Sequence, residues 1–180
     1  LISCSELRAQ IVTPLLTDGS KTELISFRVP TTAKKKTLKS VEFVLTGATN
    51  IDEISLEHHR GAGDRHFATS KKLSEKITLS GSLDFTPGNH LYGLYARLKP
   101  GTDLLQSVVI TSAIFHYADG STTIPTLPQN PQRLASLIHK RGDHDCHTFR
   151  IPGIARAKNG NLLAVADMRY NSRKDLQEHM

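Results

Sequence analysis

The chain has 180 residues, 38% of them hydrophobic and 22% charged, an ordinary globular composition with room for one or two domains. Its formal net charge of +6 suits an anionic partner such as nucleic acid, a membrane surface or an acidic glycan. Nucleic acid is set aside: Lys34-Lys35-Lys36 and Lys71-Lys72 are short clusters, with no helix-turn-helix, zinc-finger or RNP pattern beside them. Two cysteines, Cys4 and Cys146, supply neither a disulfide framework nor a four-ligand metal set. No run approaches the ~20 apolar residues that cross a bilayer.

In chain order, residues 1–128 read as one all-β unit. Leu24 to Val29 is a short β-prone run ended by Pro30. Leu38 to Leu45 alternates in part, Thr46 to Asn50 reads as a turn, and Ile51 to Leu56 as the next strand. Glu75 to Leu83 alternates cleanly, with Ile77, Leu79 and Leu83 on one face. Pro87-Gly88-Asn89 is a turn before the strand His90 to Leu98. Val108 to Tyr117, rich in β-branched and aromatic residues, is the strongest strand signal, and Asp119-Gly120 closes it. Short strands at fairly regular spacing with turns between them predict a β-sandwich. The chain has no Trp and few aromatics, which argues against a sugar-binding face built on ring stacking.

Ile124 to Pro131 carries three prolines in eight residues and is the expected linker. Residues 129–180 then form a second unit. Arg133 to Lys140 reads as a strand and Arg141 to Asp145 as a polar loop. His144-Asp145-Cys146-His147 has metal-ligand residue types, but neighbours on a strand point to opposite faces, so no metal site is expected. Gly153 to Asp167 reads as a β-hairpin, with Asn159-Gly160 as a type I′ turn signal.

The chemistry-bearing residues are concentrated here. Phe149-Arg150-Ile151-Pro152-Gly153, the Asn-Gly hairpin, Asp167-Met168-Arg169-Tyr170-Asn171-Ser172 and Asp175-Leu176-Gln177 resemble the opening of a bacterial exo-α-sialidase catalytic domain. The resemblance implies an N-terminal β-sandwich followed by the first part of a six-bladed β-propeller. It implies that Arg150 is the first of three arginines holding the substrate carboxylate, through paired charge-assisted hydrogen bonds. Arg169 would contact the region of the sugar's 4-hydroxyl, and Asp167 would brace Arg169 or Arg150. Asp175 would be the general acid that protonates the departing oxygen and later the base that activates water. Sialidases use a tyrosine nucleophile in place of a second carboxylate. By the same resemblance that tyrosine, its glutamate partner, the other two arginines and the rest of the propeller lie beyond Met180.

The expectation is therefore the front part of a retaining exo-α-sialidase acting on sialylated glycans, without metal or organic cofactor. A propeller closes only with all its blades, so the 180 residues alone should hydrolyse nothing. Leu1-Ile2-Ser3-Cys4 resembles a bacterial lipobox, which implies a lipid anchor through Cys4 after removal of a leader. The expected location is secreted, periplasmic or at the cell surface of a bacterium. Two other readings stay open: a stand-alone glycan-binding or adhesion module, and a purely structural sandwich that orients a catalytic domain.

Overall fold

The computed structural model describes residues 14–31, 35–60, 63–128 and 132–174. Cys4 and Asp175 lie outside the described residues. Contacts divide the chain into two compact units, one running to Ser136 and the other from Leu137.

The first unit is a β-sandwich. One sheet holds β2 (Lys21–Thr31), β4 (Ile51–His59), β5 (Arg65–Ser70) and β7 (Gly88–Leu98), in the order β2-β7-β4-β5. The other holds β1 (Leu15–Leu16), β3 (Lys36–Thr46), β6 (Lys76–Phe85), β8 (Ser107–Tyr117) and β10 (Gln132–Ala135), in the order β1-β10-β8-β3-β6. A two-residue strand, β9 (Thr122–Thr123), pairs with β8.

Alternating side chains from the two sheets meet between them. The Phe27 ring of β2 lies 6.4 Å from Phe43 of β3 and 6.0 Å from Phe115 of β8, both edge-on. Tyr92 of β7 meets the same Phe115 at 5.1 Å. Each such ring contributes about 1.5 to 3 kcal/mol through burial. On β6 the expected face holds: Ile77, Leu79 and Leu83 are all buried, joined by Phe85.

Three differences from the sequence reading have physical reasons. The first strand does not stop at Pro30; β2 runs through it, with Pro30 opposite Asn89. It is an edge strand, where a missing N–H is tolerated. The expected strand from Arg133 to Lys140 is only β10. It belongs to the sandwich, pairing antiparallel with β8 and parallel with β1, because Gln132 and Leu134 are buried in alternation while Leu137 and Ile138 are exposed. β5 carries no clear alternating pattern: of its six residues only Phe67 and Ala68 are buried, as suits an edge strand.

The second unit holds a hairpin of β11 (Thr148–Arg156) and β12 (Leu162–Arg169). Its turn is not type I′, which needs positive φ at both central residues. Gly160 has φ 90°, but Asn159 has no positive φ. The Gly160 N–H donates to the Ala157 carbonyl at 2.9 Å, and Asn159 Oδ1 accepts from the Asn161 N–H at 3.1 Å. This is a three-residue connection with glycine in the left-handed position. Among the described residues no helix is long and apolar enough to cross a membrane.

Candidate functional site

Pairing in the hairpin decides which side chains share a face. Arg150 lies opposite Asp167, and Thr148 opposite Arg169. Directly opposed residues project to the same side, and so do residues two apart on one strand. Arg150, Asp167 and Arg169 therefore occupy one face, while Phe149 and Met168, also opposed, occupy the other.

The face with the arginines is polar and tightly tied. Arg150 Nη1 donates to the Arg173 carbonyl at 3.0 Å, and Arg169 Nη1 donates to the same oxygen at 3.2 Å. Arg169 Nη1 also reaches the Lys174 carbonyl at 2.7 Å, and its Nη2 is 3.2 Å from Asp167 Oδ2. The two guanidinium groups thus converge on one backbone oxygen, with a carboxylate beside them. Arg169 is only 2% exposed, so its hydrogen bonds stand in for water it has lost.

Asp175 follows Lys174, whose carbonyl Arg169 holds. The structure thus brings Arg150, Asp167 and Arg169 together and ties both arginines to the segment that leads into Asp175.

The backbone beside Arg150 is unusual. The pairing register slips between Arg150 and Gly153, so β11 carries one extra residue there. Ile151 sits in this bulge with φ 50°. A β-branched residue before proline is expected to be extended; holding it in the left-handed region costs about 1 to 3 kcal/mol. Bulges of this kind re-aim neighbouring side chains, and here the neighbour is Arg150.

Two residue groups have positions that sequence reasoning did not give. Cys146 is fully buried, its Sγ 3.2 Å from the Thr148 carbonyl and 3.3 Å from the Arg169 carbonyl, beneath the start of β11 and the end of β12. The carbonyls of Arg173 and Lys174 receive both arginines, and a backbone acceptor leaves no mark in a sequence. The polar segment before the hairpin has loop geometry. Asp143–Asp145 is a single 3-10 turn with His144 and Asp145 at φ 55° and 58°. His147 Nδ1 lies 2.6 Å from Thr148 Oγ1. Among the described residues no three His, Cys, Asp or Glu side chains are grouped to hold a metal.

The opposite face of the hairpin is apolar. A groove of about 720 Å³ is lined by Ile138, His139, Phe149, Ile154, Ala164 and Met168 among others. The His139 ring stacks on Phe149 at 4.9 Å and 9°. Ile154 and Leu162 are 73% and 68% exposed, far more than hydrophobic strand residues carry when a second layer covers them.

Comparison with known proteins finds sialidases similar to this chain. No protein-family model matches the chain. A curated sialidase of Bacteroides fragilis (strain YCH46) is 32% identical over 107 residues, a match covering 58% of this chain and 20% of the relative. The solved structure of the Hadza microbial sialidase Hz136 superimposes with a TM-score of 0.74 at 19% identity, over 92% of this chain and 38% of that one. The chain is sialidase-like in sequence and in its all-β fold, and it spans well under half the length of either protein.

Proposed function

We propose that this chain is the N-terminal part of a retaining exo-α-sialidase that removes terminal sialic acid from glycoconjugates. The observation that carries the reading is the convergence of Arg150 and Arg169 on the Arg173 carbonyl, beside Asp167. Sialic acid carries a carboxylate on its anomeric carbon, and a guanidinium grips a carboxylate through two parallel hydrogen bonds. Arg150 is the group for that carboxylate. Arg169, expected beside the 4-hydroxyl, also holds the segment entering Asp175 and so sets where the acid stands. Asp175 protonates the leaving oxygen, which requires its carboxyl to keep a proton near neutral pH through closure over the substrate.

The apolar face of the hairpin supports a propeller context. Ile154 and Leu162 suit burial against a neighbouring blade. Two strands cannot surround a sugar, so we expect the 180-residue chain by itself to be inactive. A lipid anchor through Cys4 and a secreted or cell-surface location belong to the same proposal.

The test uses the gene product extended beyond Met180, assayed on sialyllactose. Asp175→Ala should lower kcat by about two orders of magnitude or more. It should matter far less on a phenolic leaving group, which needs little protonation. Arg150→Ala should lower kcat/KM by at least about a hundredfold. Wild-type rates for Asp175→Ala on sialyllactose would remove it as the acid, and an unchanged kcat/KM for Arg150→Ala would remove that arginine from the carboxylate grip.

A further inference from the structure

We propose that the sandwich carries a binding site of its own, for the anionic substituent of an acidic sugar, in the cleft where β2, β4 and β7 meet the tip of β6. The cleft has a volume of about 420 Å³, within the range of small-molecule sites. Its lining includes Arg28, Arg60, His58, His90, Asn89 and Asp84. This inference is independent of the activity proposed for the hairpin.

The charge pattern carries the argument. Lys35, also at the cleft, lies 3.0 Å from Asp84, and His59 lies 2.9 Å from Asp64. Arg28 and Arg60 are exposed, and neither guanidinium has a hydrogen bond or ion pair among the described residues. Two guanidinium groups without a partner among the described residues therefore line one concave surface, and they suit a carboxylate or a sulfate ester.

The floor is a pair of imidazole rings. His90 Nε2 is 2.8 Å from the Thr86 carbonyl, which can only accept, so that nitrogen carries the proton. In a neutral His90 ring, Nδ1 must then accept from His58 Nε2 at 3.0 Å. His58 is 3% exposed, and its remaining nitrogen has no hydrogen-bond partner among the described residues. Burial first, and then nearby positive charge such as that of Arg60, lowers the His58 pKa to about 4, so the ring adds no charge of its own at neutral pH.

The same lining argues for a sugar over other anions. Asp84 stands at the cleft and disfavours a multiply charged phosphate chain, while with Asn89 it offers partners for hydroxyl groups. A nucleobase would need an open aromatic face, and Phe85 is 6% exposed while Tyr92 is fully buried.

The experiment titrates the 180-residue chain by NMR with the methyl α-glycoside of N-acetylneuraminic acid and, separately, with galactose 6-sulfate. Lactose is the uncharged control. We expect saturable binding of one or both anions below about 10 mM, weakened by salt, with no binding of lactose. Arg28→Ala/Arg60→Ala should weaken it at least about tenfold while leaving the melting temperature unchanged, since both side chains are exposed. Arg150→Ala/Arg169→Ala should leave it intact, which separates this cleft from the hairpin. Which anion binds identifies the source, carboxylate or sulfate. Failure of both to saturate, equal binding of lactose, or full affinity in the Arg28/Arg60 variant would overturn the proposal.

Discussion

Acidification should unload the sandwich through His58 before any carboxylate responds. The ring is buried between sheets, 4.9 Å from Tyr92 and 6.5 Å from Phe85. His90 faces it from β7, His59 and Arg60 follow it on β4, and Arg65 begins β5. Burial first, and these charges after it, bring its pKa from 6.5 to about 4. A base with a depressed native pKa takes a proton in the unfolded chain that the folded one refuses. Its contribution to stability is therefore complete above about pH 6.5 and is lost as pH falls toward 4. The loss is about 2 kcal/mol at pH 5 and approaches about 3 kcal/mol below pH 4. In a domain of this size, 2 kcal/mol lowers Tm by about 6 °C.

Glu57 also has a shifted pKa. Burial raises it, but hydrogen bonds from Lys21 and His66 outweigh that, and the result lies below 4.5. Asp84 and Asp119 lie below 3.8. These carboxylates lose their contribution only at more acid pH, so at about pH 5 the His58 effect stands nearly alone. The assay is thermal and urea unfolding followed by circular dichroism at pH 7 and pH 5, on the wild type and on His58→Phe. Phenylalanine keeps a ring against Tyr92 and removes the buried nitrogen that has no partner among the described residues. The wild type should lose about 2 kcal/mol more than the variant across that interval. Equal losses in both proteins would mean that His58 takes a proton freely in the folded state, and the buried description of this ring would be wrong.

Further outcomes follow from other sites. Gly47 has φ 76°, and a Cβ there would run into the Ser107 carbonyl, a backbone atom that cannot swing aside. Gly47→Ala should therefore cost about 2 to 4 kcal/mol in urea unfolding of the sandwich; a loss under about 0.5 kcal/mol would show that the loop adapts freely. Arg169→Leu removes the donors to the Arg173 and Lys174 carbonyls while keeping bulk at a buried position. Trypsin should then cut after Arg173 at least about ten times faster, read by mass spectrometry, and an unchanged rate would mean that Arg169 does not restrain that segment.

The sandwich was legible because half-buried strands leave a period-two signature. Glu75 to Leu83 and Val108 to Tyr117 have it, and both became strands of the described sheet within two residues of their expected limits. β5 and β1 left no such trace, being short and at sheet edges. Leu15 finds its partner Leu134 across 119 positions, a pairing that no local pattern encodes.

The residue types at the hairpin, Arg150, Asp167 and Arg169, were set out by the chain alone, because strand alternation and an Asn-Gly turn suffice to put them at one end. What they do there was decided by register. The extra residue at Ile151 sets the face that Arg150 shares with Asp167, and two backbone carbonyls draw both guanidinium groups to one point. The cleft of Arg28, His58, Arg60 and His90 shows the same division. Arg28 lies on β2, His90 on β7, His58 on β4 and Arg60 just after it, and only the pairing of these strands in one sheet brings them to a common surface. A linear sequence carries composition and period; charges far apart along it are summed only in three dimensions, where burial removes the water that would otherwise screen them.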